Sequence, residues 1–300
     1  MKKLFLAVLL TSLVLDTYAQ NDGSANTGMA FLKLGVTSRA VALGEAVVSF
    51  ADDASATHYN PANLFLGSNV NVLFMHNEQV LGVRTEFLAA KIRLNKLAFG
   101  FNMNNTSVND IQVREIPGPP EDLFTAQNFA FSVSAAYKIN DNIQAGITTK
   151  YLFEKIFINN SSGYAFDLGG IYHKDRFSAG ISLANFGSMG ALVTEKIKLP
   201  SSVRVGASYL FDIPKLSGGL RATIDGFKVM DGGNFHLDGG AEFVFKDLLS
   251  IRAGYQTGYE DRSFTTGIGI KYKAFNLDYA FVPYKYSLGN SHTFTLGTSF

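Results

Sequence analysis

From about Val70 to the last residue, the hydrophobic pattern of this chain repeats every two residues rather than every 3.6. Leu249, Ile251, Ala253 and Tyr255 alternate with Ser250, Arg252 and Gly254. Phe275, Leu277, Tyr279 and Phe281 alternate with Asn276, Asp278 and Ala280. A period of two sends successive side chains to opposite faces of a strand. Fourteen such segments fit between 69 and 300, among them 96–106, 126–138, 142–155 and 162–173. Most reach the roughly nine to eleven residues that a tilted strand needs to cross a bilayer. Strands of soluble sheets are typically about five or six residues long.

The connections follow their own rhythm. Asn95-Lys96, Asn140-Asp141, Lys174-Asp175 and Lys273-Ala274 are short links, each after an even-numbered strand. The intervening links 107–125, 156–161, 187–200, 257–262 and 284–290 are longer, with 78–81, which is short, and Asp212 to Leu216, which is of moderate length, as exceptions. Short periplasmic turns and longer external loops are the habit of outer-membrane barrels. In hydrocarbon every backbone donor and acceptor needs a partner, and a closed barrel provides one without leaving an edge. The expected fold is therefore all-β: a transmembrane antiparallel β-barrel of about fourteen strands in the bacterial outer membrane.

The N-terminus agrees with export. Lys2 and Lys3 precede an apolar run, Leu4 to Leu15, and small residues follow, so cleavage is expected after Ala19. Losing Lys2, Lys3 and Asp16 with that leader leaves 24 basic and 24 acidic residues. A neutral chain has no electrostatic footprint for nucleic acid. The 26 Phe and 13 Tyr suit a lipid-facing surface with interfacial girdles, and charged residues are only 17%. With no cysteine, disulfides, thiol catalysis and cysteine metal sites are excluded.

Residues 28–68 break the alternation. Pro61 turns Asn60 away from helical geometry, and Asp52-Asp53-Ala54-Ser55 suits a turn or a helix start. The expected organisation is a leader over 1–19, a luminal plug over 20–68 and the barrel over 69–300. Within the plug, Arg39-Ala40-Val41-Ala42-Leu43-Gly44, Ala51-Asp52-Asp53-Ala54-Ser55-Ala56 and Tyr59-Asn60-Pro61-Ala62-Asn63-Leu64 follow in order. This series resembles the N-terminal signature of the PorV/PorQ family, within the FadL-like outer-membrane proteins. Glu45 stands where members of that family often have a second glycine. The resemblance implies a FadL-like barrel with its N-terminal segment in the lumen. It also implies an accessory role in type IX protein secretion, with secretion components or cargo C-terminal signal domains as partners. The motif residues carried over are Arg39, Gly44, Asp52, Asp53, Asn60, Pro61 and Ala62.

The alternation also sorts the charges. Lys150, Asp167, Arg204, Arg221, Asp225, Asp238, Glu242, Arg252, Lys271 and Asp278 share the inward set. A solvated, ion-paired lumen that holds the plug is the plainer expectation, and a selective pore or ligand site is the sharper one. Arg39 and the Asp52/Asp53 pair are expected to dock the plug on wall charges of opposite sign. Inward glycines such as Gly146, Gly206, Gly254, Gly267 and Gly269 either leave space for something in the lumen or ease curvature. Phe300 ends an amphipathic strand, as in proteins inserted by the barrel assembly machinery. Outer-membrane lipid and that machinery are thus expected partners. His58, His76, His173, His236 and His292 form no ligand spacing, and no nucleophile or phosphate-loop motif occurs. No enzyme, cofactor or metal is expected. The alternative function is a FadL-like channel for uptake of hydrophobic small molecules.

Overall fold

The computed structural model describes residues 26–114 and 116–300. The leader over 1–19 lies outside the described residues. Fourteen strands form one closed antiparallel barrel, each bonded to its sequence neighbours and β1 (Val70–Glu78) to β14 (Asn290–Ser299). The closing pair runs from Asn71 opposite Ser299 to Glu78 opposite His292. Phe300 extends it by one residue, donating its N–H to the Val70 carbonyl and accepting the Val70 N–H. No helix among the described residues is long and apolar enough to cross a membrane.

The barrel wall alternates as the period of two requires. Along β3 (Leu97–Val113), Phe99, Phe101 and Met103 face outward and are exposed, while Ala98, Asn102 and Asn104 are buried inside. Tyr137, Tyr172, Tyr209 and Tyr272 stand exposed near the ends of β4 (Asp122–Lys138), β6 (Asn159–Lys174), β8 (Ser202–Ile213) and β12 (Phe264–Tyr272). They form a girdle on the short-turn side. At the other side, polar outward residues begin, with Glu86 held by His76 at 2.7 Å and Asn105 accepting from Gln127 at 2.7 Å. Gln127 and Tyr137 are separated along β4 by a tilted stretch of roughly 25 Å, the height of a lipid-facing band.

Two links differ from the sequence expectation. The stretch 107–125 is largely strand, because β3 runs to Val113 and β4 starts at Asp122. The link 156–161 reduces to Phe157-Ile158 between β5 (Ile143–Ile156) and β6. Polar side chains hid this continuation, since beyond the membrane band a hairpin no longer needs an apolar face.

The lumen is filled by residues 26–68. A 3-10 turn over Ala30–Lys33 leads to helix α1 (Ser38–Ala42), α2 (Ala56–Tyr59) and a second 3-10 turn over Pro61–Phe65. Gly28 donates to the Lys198 carbonyl in the long link between β7 (Phe177–Met189) and β8, whereas Arg93 holds the Phe65 carbonyl near the short-turn rim. The segment therefore descends from the external mouth to the periplasmic one. Thr37 caps α1 by accepting the Ala40 N–H. Asn60 accepts the Ala62 N–H, with Pro61 in the first turn where its missing N–H costs nothing. Val36, Leu43, Phe50 and Ala54 pack against the inward Leu73, Met75, Phe87 and Ala89.

Candidate functional site

Short elements without a long hydrogen-bonded ladder need other partners for their backbone, and here the barrel wall supplies them. Ser38 N–H donates to Thr295 Oγ1 at 2.8 Å, Gly44 N–H to Thr265 Oγ1 at 3.1 Å and Val48 N–H to Asp225 Oδ2 at 3.0 Å. Thr223 Oγ1 donates to the Ala46 carbonyl and Lys91 Nζ to the Asp52 carbonyl, both at 2.7 Å. Asn60 is fully buried and joins three segments, donating to the Val48 carbonyl at 2.9 Å and the Gly170 carbonyl at 3.1 Å. Thr223, Thr265 and Lys91 were not singled out from the sequence, although their inward parity marks them as polar groups facing the lumen.

The wall glycines are sites of close approach. A Cβ on Gly146 would fall 2.6 Å from the Pro61 carbonyl carbon, and one on Gly267 would fall 2.6 Å from the Ala42 methyl. Gly254 faces the Leu43–Gly44 peptide equally closely. Gly206 and Gly269 do something different: their missing side chains admit the carboxylates of Asp225 and Asp278 from the neighbouring strands. Gly44 has φ +64 and lies against the Gly239 and Tyr255 backbone, so a side chain there would be both strained and obstructed.

The inward charges gather in three groups. Nearest the periplasmic mouth, Arg39 grips Glu242 through two bonds of 2.9 and 2.7 Å and reaches Asp52 at 2.5 Å. Arg252 binds the same Glu242 at 2.7 Å and Asp278 at 2.6 Å. Asp53 stays local, accepting the Ser55 N–H at 2.8 Å. Thus Arg39 docks on the wall, Asp52 is tied to Arg39 within its own segment, and Asp53 braces a turn. Burial works against the charge on Asp52, and Arg39 overcomes it, holding that carboxyl below its usual range.

At mid-height, Lys150 meets Asp167 at 2.7 Å and Asn185 Oδ1 at 2.7 Å, all three buried. Asn185 sits at φ +63 where the β6–β7 register shifts, and its N–H returns to Asp167 at 2.8 Å. Higher up, Arg204 bonds Asp238 at 3.1 Å and the Glu45 carbonyl at 3.0 Å, with Asp225 and the Glu45 carboxylate at 3.9 Å. Glu45 itself has φ +62, a left-handed conformation that favours glycine. His58 faces a small cavity of about 40 Å³ between these two groups. Burial, with the Lys150 and Arg204 charges adding to it, pushes the His58 pKa down to about 3.

Above Arg204, towards the external mouth, stands a column of stacked groups. Arg204 lies 4.3 Å from the Phe227 ring, Phe227 5.9 Å from His236, and His236 stacks on Tyr259 at 4.0 Å. Arg262 covers Tyr259 at 4.1 Å. The periplasmic mouth is open: two adjoining cavities of about 290 and 330 Å³ share Arg39, Asp52, Glu242, Val244 and Asp247. Among the described residues no cluster of His, Asp and Glu is arranged to hold a metal.

The barrel resembles solved outer-membrane channels. It is similar to a CymD monoaromatic hydrocarbon channel (TM-score 0.61, 13% identity, 89% of this chain and 98% of that chain). The Pseudomonas putida toluene transporter TodX gives a TM-score of 0.57 at 11% identity, over 88% and 96% of the two chains. A Pseudomonas aeruginosa FadL homologue gives 0.50 at 13% identity, over 87% and 97%. At such identities the likeness shows the fold. No curated protein sequence matches the chain. A family model described as type IX secretion system membrane protein PorP/SprF matches residues 54–299.

Proposed function

The chain belongs to the PorP/SprF family of type IX secretion system membrane proteins, and from that premise we propose that it is an outer-membrane accessory of type IX secretion that works by binding proteins. The family differs from the PorV/PorQ family that the N-terminal signature resembles, while the secretion system is the same. In this reading the partners are other components of the system or the C-terminal signal domains of its cargo.

The observation that carries the reading is the filled lumen. The segment from Asn26 to Ser68 is pinned to the barrel by hydrogen bonds from Gly28, on the Lys198 carbonyl, through Ser38 on Thr295 and Asp52 on Lys91, to Phe65 on Arg93. A barrel so occupied offers its two mouths and its projecting β3–β4 hairpin as surfaces. The remaining cavities at the periplasmic side are lined by charged groups, unsuited to an apolar solute. The fold neighbours named for hydrocarbons support the alternative, uptake of hydrophobic molecules, only at the level of shape.

Affinity purification of the tagged protein from native outer membranes tests the proposal, together with a deletion strain. Co-purified secretion components or cargo C-terminal domains, and cargo lost from the cell surface, are expected. A deletion strain that displays cargo normally but fails to take up an apolar nutrient would replace this reading with the uptake channel.

A further inference from the structure

Arg221 is an inward cation near the periplasmic mouth that makes no direct ion pair with a described residue, although Asp52 and Glu242 attract it from farther away. It stands on β9 (Gly218–Val229), close to the turn over Pro214–Leu216. Its guanidinium carbon lies 4.6 Å from the centre of the buried Phe50 ring, a cation–π contact. Glu242 is engaged by Arg39 and Arg252, Asp52 by Arg39 and Asp278 by Arg252. No carboxylate among the described residues makes an ion pair with Arg221, and its buried Nε has no hydrogen-bond partner in the protein. The side chain lines the 330 Å³ cavity with Leu210, Gly218, Gly219 and Val244.

We propose that this cavity binds a carboxylate carried by a periplasmic polypeptide, with Arg221 as the anchor. With Nε enclosed by protein, the two terminal nitrogens are left to a ligand, and a carboxylate can accept two parallel bonds from them. Asp52, Glu242 and Asp247 line the same cavity and oppose an incoming anion in proportion to its charge, so a monoanionic carboxylate held by Arg221 fits better than a phosphate. Leu210 and Val244 offer apolar contact to a short aliphatic stem, such as that of a glutamate side chain. The volume admits a side chain with its adjoining backbone and excludes a folded domain. Only the identity of the carrier rests on the secretion reading; carboxylate binding does not.

The test uses the absence of cysteine. Val244→Cys places a single thiol in the cavity of the purified, detergent-solubilised full chain, and the rate of its reaction with a small methanethiosulfonate reagent is followed. The probe acetyl-Gly-Gly-Glu-amide is expected to slow labelling saturably, at least threefold. Acetyl-Gly-Gly-Gln-amide and inorganic phosphate are expected to leave it unchanged. Adding Arg221→Gln is expected to abolish protection while retention of the folded, heat-modifiable form confirms the barrel. If that variant does not fold, Arg221→Lys keeps the charge, loses the fork and is expected to weaken protection at least threefold. Equal protection by the glutamine peptide or phosphate, protection unaffected by the Arg221 change, or no protection up to the solubility of the probe would overturn the proposal. Normal secretion in a strain carrying Arg221→Gln, with protection lost in vitro, would instead separate the site from secretion.

Discussion

Arg39 and Asp53 show how neighbouring charges in one segment take different roles. Arg39→Ala removes two bonds from the buried Glu242 and the contact to Asp52. Breaking such a buried arrangement from one side costs about 3–5 kcal/mol in typical cases, and Arg252 lowers that here by retaining Glu242. Asp53→Ala loses a local turn contact worth about 1 kcal/mol. Limited proteolysis of the luminal segment in the folded barrel is expected to accelerate strongly in the first variant and little in the second. Equal effects would contradict the division of roles.

Asn60 predicts a sharper loss. Asn60→Ala leaves the Gly170 carbonyl and the Ala62 N–H without this buried partner, at about 1–3 kcal/mol for each unsatisfied group. Hydrogen exchange should rise through residues 44–66 while the strands stay protected. His58 adds a pH dependence. Its proton binds in the unfolded segment below about 6.5 but in the folded one only near 3, so its contribution falls as pH drops from about 6.5 towards 3. The slope is at most about 1.4 kcal/mol per pH unit. Protection of the luminal segment should fall between pH 7 and 5 and become flatter in His58→Phe; an identical pH profile in that variant would refute the assignment.

At the scale of elements, β7 (Phe177–Met189) carries the least regular part of the wall. Its pairing with β8 ends at Ala184 opposite Ser202, whereas its pairing with β6 continues to Met189 opposite Gly163. The Lys150–Asp167–Asn185 group sits at this divergence and bonds onward, from Asn185 to the Pro200 carbonyl. Lys150→Met strands the buried Asp167, at about 3–5 kcal/mol, and Lys150→Met with Asp167→Leu should recover much of that. The temperature at which the folded electrophoretic form is lost reads both variants. No recovery in the pair would mean that the group acts through Asn185 rather than as an ion pair.

For the whole molecule, filling from within and closure by β1–β14 are separate achievements. The wall can close through its own ladder, and the luminal segment can then be removed in principle without opening an edge. Deleting 30–65 is expected to leave an outer-membrane barrel that conducts ions in planar bilayers, whereas the intact chain is expected to show little conductance. Large steady conductance of the intact chain would show that its lumen is not held shut.

How much of this is legible in the sequence depends on the range of the interaction. The period of two in segments such as Leu249–Tyr255 determines strand, face and membrane, because hydrocarbon leaves the backbone no other way to be satisfied. It also assigns Arg204, Glu242 and Asp278 to the inside, since parity alone decides the face. Parity cannot say which inward charges meet across the lumen. That Arg39 chooses Glu242, that Asp53 turns back to Ser55, and that Arg221 is left to a cavity depend on contacts between positions up to 203 residues apart in the chain. The luminal segment has no period to read, because its helical turns are only four or five residues long and the stretches between them lean on the wall. Residue order along each strand is enough to set a barrel and the side of it each residue faces; how the filled lumen is wired, and where it stays open, follows from contacts between strands far apart in the chain.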